Sequence, residues 1–199
     1  MAQAEERGGR ATLTDAARAL FADRGVDGVS MREIGRAAGH RNTNAVQYHF
    51  GDRDSLLAEV LRPHHDRVAA RRAALLDELE AQGSPSLRGI AGALVRPSAA
   101  LLEDAEGRDY LRIVADLVSD PTSLRRGRPL AGMGLTRWDA AARKVMPTTT
   151  LPLHRRFSAI HLCFTELGRR AAVGPRRRDH RLFVSDLVDL TTGVLGADV

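Results

Sequence analysis

The chain has 199 residues, of which 43% are hydrophobic and 28% charged, enough apolar material for one large domain or two small ones. This composition excludes a disordered chain, and no apolar run approaches the roughly 20 residues that cross a bilayer. The formal net charge is +5, but residues 1–62 carry nine arginines and nine carboxylates, so the basic excess lies in the C-terminal two thirds.

The N-terminal residues 1–10 are polar and glycine-rich, and they predict a flexible tail without a secretory signal. We therefore expect a cytoplasmic location. The single cysteine, Cys163, excludes an internal disulfide and any zinc site built from several cysteines. The histidines have no metal-ligand spacing, so neither a metal nor a cofactor is expected.

Two helices are predicted first. An apolar face repeats at helical spacing and stops at Gly25; it consists of Leu13, Ala16, Ala17, Leu20 and Phe21. The second helix begins after Ser30, which forms a capping box with Glu33, and it ends at Gly39 after barely two turns.

A third short helix is predicted over Asn44 to Phe50. Asn42 or Thr43 can cap its N-terminus, and Gly51 can end it. No segment alternates as a strand would, so the sequence predicts an all-α fold.

The rest of the chain predicts further helices separated by breakers. Asp52 can cap a fourth helix that Pro63 kinks or ends, which makes Pro63 a joint between two lobes. Pro97 interrupts another helix. Residues 120–137 contain five glycines and prolines and are expected to form a flexible connector before a helix around Trp138 to Met146.

The last two predicted helices carry narrow apolar seams with steps of four and three residues. Such seams pack against a nearly parallel or antiparallel helix, either within the chain or in a bundle shared between two subunits. The seam residues predicted to form a dimer interface are Leu153, Phe157, Ile160, Phe164, Leu167, Phe183, Leu187, Leu190 and Val194.

Short helices separated by a tight turn are typical of a helix-turn-helix, whose second helix enters the major groove of DNA. The polar side chains there suit this role, although an ordinary polar-faced helix would look similar. Asparagine and glutamine can bind adenine edges with two hydrogen bonds, and Asn42, Thr43, Asn44 and Gln47 supply such groups. Phosphate contacts are expected from Tyr48, His49 and Arg53.

These residues resemble the N-terminal domain of the TetR-type one-component transcriptional regulators of bacteria. The similarity runs over about fifty residues, from Leu13 through Ser30, Met31 and Ile34 to the segment Ala45-Val46-Gln47-Tyr48-His49-Phe50-Gly51 and on to Arg53 and Leu57. It implies a helix-turn-helix domain over residues 11–57 and a helical effector-binding and dimerisation domain over residues 58–199.

The resemblance also implies partners. The residues implied to face DNA are Arg32, Arg41, Asn42, Thr43, Asn44, Gln47, Tyr48, His49 and Arg53. Arg32, Arg41 and Arg53 are expected to cluster on the DNA side, with carboxylates such as Asp27 turned away from it. A homodimer would bind a pseudo-palindromic operator in double-stranded DNA, and an unidentified small effector would bind the C-terminal domain, where Tyr110 and Trp138 are candidate pocket residues.

Catalysis has no residues to support it, because the chain contains no GxSxG elbow, P-loop, GxGxxG or HExxH motif. We therefore expect no enzyme. The favoured function is a transcriptional regulator, most simply a repressor that a small apolar effector releases. The alternative is a helical small-molecule-binding or scaffold dimer whose N-terminal domain does not bind DNA.

Overall fold

The computed structural model describes residues 2–40, 45–83, 85–120, 132–147, 152–174 and 179–197. Within these ranges every regular element is a helix, which confirms the predicted all-α class. The helices are α1 (Ala2–Arg24), α2 (Met31–Ala37), α3 (Ala45–Phe50), α4 (Arg53–Ala81), α5 (Leu87–Ala99), a 3₁₀ turn (Ala100–Glu103), α6 (Ala105–Ser119), α7 (Leu135–Val145), α8 (Pro152–Val173) and α9 (His180–Gly196).

The chain divides into two compact units, Met1–Pro63 and His64–Val199. The domain boundary predicted between residues 57 and 58 lies six residues before this division. None of the helices in the described ranges is long and apolar enough to cross a membrane.

Helix α1 corrects the expectation of a flexible tail, because it begins at Ala2 instead of near residue 11. The Gly8-Gly9 pair does not interrupt it. The Thr12 hydroxyl donates to the carbonyl oxygen of Gly9 at 2.9 Å, which occupies a backbone acceptor where two glycines weaken the helix. The first unit therefore has a longer first helix than its apolar pattern indicated.

The predicted capping box of α2 is confirmed. The Ser30 hydroxyl accepts a hydrogen bond from the Glu33 backbone N–H at 3.2 Å, and the Glu33 carboxylate accepts one from the Ser30 backbone N–H at 2.8 Å. At the other end Gly39 adopts a φ of 77°, and the His40 N–H donates to the Gly35 carbonyl at 2.9 Å. This closing turn needs a left-handed residue, which explains the abrupt stop after two turns.

Pro63 does not end α4, so that of its two predicted effects the kink alone stays a prediction, and the interruption predicted at Pro97 is wrong. Helix α4 runs through Pro63, and α5 runs through Pro97 before it tightens into the 3₁₀ turn. A proline at position 97 removes the N–H that would bind the Ala93 carbonyl one turn earlier. The buried Arg72 side chain replaces that donor, because its Nε donates to the Ala93 oxygen at 3.1 Å.

The second unit is built around α5, which is buried along most of its length. Helices α6 and α8 approach closely at Gly168, where an added Cβ would lie 2.3 Å from the Cβ of Ala115. Helix α9 packs on α5, with Arg88 and Asp189 paired between them. Helix α7 begins at Leu135, three residues before the predicted start, and most of the expected connector, residues 121–131, lies outside the described residues.

Candidate nucleic-acid interface

Helices α2 and α3 have the arrangement that a helix-turn-helix requires. Gly35 faces Val46, and an added Cβ would lie 3.6 Å from a Val46 methyl group. Ile34 and Val46 are fully buried, so the apolar faces of both short helices are fixed in the core of the first unit. Their remaining faces are left to solvent.

The exposed face of α3 carries the predicted recognition residues that the structure describes. Gln47 is exposed, and 79% of Tyr48 is exposed, an unusual fraction for a tyrosine. Arg32 is exposed on α2, and His49 is half-buried. The predicted contacts Arg41, Asn42, Thr43 and Asn44 lie outside the described residues.

Arg53 has partners within the protein. Its Nη1 donates to the Val26 carbonyl at 3.0 Å and lies 3.5 Å from an Asp27 carboxylate oxygen. Asp27, one of the carboxylates expected to sit away from DNA, thus pairs with a predicted phosphate-binding arginine, because the loop before α2 folds back on the start of α4; its position relative to DNA stays a prediction. A role for Arg53 at phosphate stays a prediction, and that role would require it to share its donors with this loop.

Arg10 is a positioning residue that the sequence reasoning missed. Its Nη1 donates to the backbone oxygen of His49 at 3.0 Å, and its guanidinium lies 4.6 Å from the ring centre of Phe50. It also lies 3.6 Å from the Glu59 carboxylate. These contacts hold the C-terminal end of α3. Arg10 precedes Leu13 by three residues and so lies on the same side of α1 one turn earlier, but a charged and exposed residue adds nothing to the apolar pattern by which that side was recognised.

Electrostatics stabilise the start of α2. The pKa of Glu33 is lowered from 4.5 to about 2, chiefly because its carboxylate accepts the Ser30 backbone N–H, with help from the Ser30 hydroxyl and from Arg24. The Arg24 Nη2 lies 2.8 Å from Glu33 and also donates to the Gly28 carbonyl. The entry to the helix-turn-helix is thus fixed by hydrogen bonds on the exposed surface.

In the second unit, the predicted interface residues divide between core and surface. The chain's own core buries Phe164, Leu167 and Leu187. Three other seam residues are half-buried, namely Ile160, Phe183 and Val194. Three seam residues remain largely exposed, namely Leu153 (57%), Phe157 (45%) and Leu190 (58%). Whether a second subunit covers them stays a prediction.

The two candidate effector residues are both buried. The Trp138 indole N–H donates to the Ile90 carbonyl at 2.9 Å, which gives this side chain a complete role in the core. Tyr110 is equally buried, but its hydroxyl has no hydrogen-bond partner in the described part of the chain. No group of three potential metal ligands occurs among the described residues.

Comparison with known proteins agrees with this geometry. Residues 13–60 match the family model described as bacterial regulatory proteins of the tetR family. Among solved structures, the chain is similar to NalD of Pseudomonas aeruginosa, the secondary repressor of the MexAB-OprM multidrug efflux pump, with 22% identity and a TM-score of 0.63 over 98% of this chain and 100% of that one.

A TetR-family transcription regulator from Marinobacter aquaeolei VT8 is similar over the full length of both chains, with 18% identity and a TM-score of 0.58. At these identities the likeness shows a common fold. No curated protein is significantly similar to the chain in sequence.

Proposed function

We propose that this chain, which belongs to the TetR family of bacterial regulatory proteins, represses transcription as a homodimer that a small molecule releases from a pseudo-palindromic operator. The observation that carries the proposal is the α2–α3 pair, whose apolar faces are buried while Gln47 and Tyr48 project from α3. A helix of this length fits the major groove, which is about 12 Å wide. The repressor would act in the cytoplasm, where the DNA is.

The dimer is proposed from the exposed apolar residues of α8 and α9. Leu153, Phe157 and Leu190 present large apolar side chains to solvent, and such surfaces mark interaction sites. Two-fold symmetry would place two recognition helices in half-sites about 34–36 Å apart. Leu187 is a poor position to test this interface, because its burial within the chain means that a charge there would unfold the subunit.

Regulation would require the effector to bind one spacing of the recognition helices better than another. Helix α4 contributes residues to both compact units, from Arg53 in the first to Arg72 in the second. It is therefore our candidate for the coupling element. A coupling of about 1–3 kcal/mol would lower DNA affinity roughly 5- to 150-fold.

A mobility-shift and footprinting survey of the DNA around the gene tests the proposal. With about six to ten phosphate contacts, affinity should fall roughly 10³- to 10⁵-fold between 50 and 200 mM salt. Tyr48→Ala should weaken binding to every sequence, whereas Gln47→Ala should relax the preference at one or two base pairs in each half-site. Finding no protected site would overturn the repressor proposal.

That result would favour the second candidate, a small-molecule-binding dimer that does not read DNA. One observation supports this alternative, namely the engagement of Arg53 by Asp27 and the Val26 carbonyl, which competes with a phosphate contact. The Asp27→Asn variant distinguishes the two functions. A DNA-binding protein should gain affinity when Arg53 is released, while a protein that does not read DNA should remain inert.

A further inference from the structure

The core of the second unit contains a polar cluster formed by His65, Arg72 and Tyr110. Arg72 is fully buried, Tyr110 is 1% exposed and His65 is 7% exposed. The rings of His65 and Tyr110 meet edge to face with 5.5 Å between their centres. Arg72 donates to the carbonyl oxygen of Met133, whose neighbour Gly132 lies against His65, because an added Cβ at Gly132 would lie 3.7 Å from His65 Nδ1. The charge of Arg72 also acts on the pKa of both His65 and Tyr110, so the three side chains lie in one region of the core.

Arg72 brings a positive charge into this core. Its guanidinium donates to the carbonyl oxygens of Ala93, Leu94 and Met133. In the described part of the chain it makes no ion pair with a carboxylate. Burial lowers the pKa of Arg72 only to about 10, so it remains protonated at pH 7. Carbonyl oxygens accept three of its five N–H groups but do not neutralise its charge.

The neighbouring groups are hydrogen-bonding atoms without partners. Tyr110 Oη and His65 Nε2 are buried and accept or donate no hydrogen bond in the described residues. Burial raises the pKa of Tyr110, so its hydroxyl keeps a proton to donate. Burial also lowers the pKa of His65 to about 4, so its ring is neutral at pH 7. Buried polar atoms are normally paired, and each exception needs an explanation.

A second buried arginine also has a nitrogen atom without a hydrogen-bond partner in the described residues. Arg155 is 8% exposed, and its Nη1 has no hydrogen-bond partner in the described residues. It lies on α8 two turns before Cys163, a rise of roughly 12 Å. Cys163 lies within electrostatic reach of Arg72. Helix α8 thus carries one buried arginine and lies near another, and among the described residues neither arginine is paired with a carboxylate.

We propose that this cluster binds the carboxylate of an amphipathic organic acid whose apolar body occupies the surrounding core. A carboxylate would neutralise Arg72, accept the Tyr110 hydroxyl and accept an N–H from His65 in the matching tautomer. An organic cation would be repelled by the same arginine. The inference deepens the proposed function, since it names the chemical class of the small molecule, and it rests on that function only in treating this acid as the effector.

The test uses the full-length protein without DNA at pH 7. Octanoate, decanoate and benzoate are titrated beside their primary amides and the corresponding amines, with calorimetry and thermal stabilisation as readouts. At least one acid should bind, at least tenfold more tightly than its amide, and the amines should not bind. Equal binding of acid and amide, preferred binding of an amine, or no binding of any acid overturns the inference.

Tyr110→Phe is the decisive variant. It removes a hydroxyl that has no partner among the residues that the structure describes, so the variant should be at least as stable as the parent protein. It should nevertheless bind the acid about tenfold more weakly, because a hydrogen bond to a charged group is lost.

Thr165→Val is the matched control for Tyr110→Phe. It also removes a buried hydroxyl that lacks a partner in the described ranges, but Thr165 lies about 200° around α8 from Cys163 and so faces away from the cluster. Acid affinity should be unchanged in this variant. Unchanged affinity in Tyr110→Phe would overturn the assignment.

Failure here and failure of the proposed function have different signatures. If an acid binds but leaves the affinity for DNA unchanged, the acid-binding site is supported and its regulatory role is contradicted. If a neutral compound releases DNA while no acid binds, the regulatory role stands and this inference falls.

Discussion

The Arg72 side chain of α4 supplies the hydrogen-bond donor that Pro97 removes from α5, and the energetic coupling of these two residues can be measured. Pro97 deprives the Ala93 carbonyl of its helical donor, and Arg72 supplies another at 3.1 Å. Arg72→Met should leave three buried carbonyl oxygens without this donor. The Leu94 oxygen keeps the Ser98 N–H as its helical donor. At about 1–3 kcal/mol for each oxygen that is left unpaired, offset by the gain from no longer burying a cation, the free energy of unfolding should change by no more than about 3 kcal/mol.

Pro97→Ala restores the backbone N–H, so its effect should depend on the residue at position 72. With Arg72 present, the Ala93 oxygen is already bonded and the new N–H adds little. With Arg72→Met, the same N–H binds an otherwise unpaired oxygen and should recover about 1 kcal/mol. The double-mutant cycle therefore has an expected coupling energy of about 1 kcal/mol.

The assay is urea unfolding followed by circular dichroism at one fixed protein concentration, since dimerisation would make stability depend on concentration. Arg71→Met is the matched control, because Arg71 is an exposed neighbour on α4 and its loss should change stability by less than about 0.5 kcal/mol. If Pro97→Ala has the same effect in both backgrounds, Arg72 does not replace the missing donor and the reasoning is refuted.

Three further predictions follow from other contacts. Ser30→Ala should destabilise the protein by about 1 kcal/mol. The pKa of Glu33 is about 2 in the folded state and 4.5 otherwise, so the stabilisation from its ionised form is present above pH 4.5 and lost as the pH falls towards 2. Urea unfolding at pH 3 and pH 7 should therefore show a smaller loss of stability at low pH in the variant than in the parent protein. Gly168→Ala should cost about 1–3 kcal/mol through overpacking against Ala115, and Ala115→Gly should restore the melting temperature if that contact is responsible. Phe157→Arg should shift the sedimentation coefficient from dimer to monomer with little change in helix content, and a wild-type monomer at micromolar concentration would contradict the interface.

Local chemistry explains which elements could be predicted. The ends of α2 follow from Ser30, Glu33 and Gly39, residues that act on their own turn of helix, and the structure agrees with all three. The prolines show where local rules stop. Pro97 would interrupt an isolated helix, but the side chain that replaces its lost donor comes from Arg72, 25 positions earlier in the sequence. No pattern around Pro97 contains that information.

The site was predictable in part for the same reason. Gln47 and Tyr48 were predicted to face DNA from their hydrogen-bonding groups, and both are exposed on α3, although their contacts with DNA stay a prediction. Helical spacing was informative for the apolar seams only in part. It could not separate Phe164 from Phe157, since a seam buried within the chain and one buried between subunits have the same period. Nor could charge counting show that Asp27 pairs with Arg53, because this contact depends on how the loop before α2 folds back.

The rate at which the Cys163 thiol is labelled can report how often the second unit opens. Cys163 is the chain's single thiol, it is fully buried, and burial raises its pKa to about 12, so the folded core should protect it from alkylating reagents. Labelling must then wait for the second unit to open, and its rate measures the frequency of that opening without any engineered probe. Because Cys163 lies within reach of the charge on Arg72, a molecule bound by that arginine should slow the labelling of Cys163. A molecule bound only at the exposed face of α3 should leave the labelling rate unchanged.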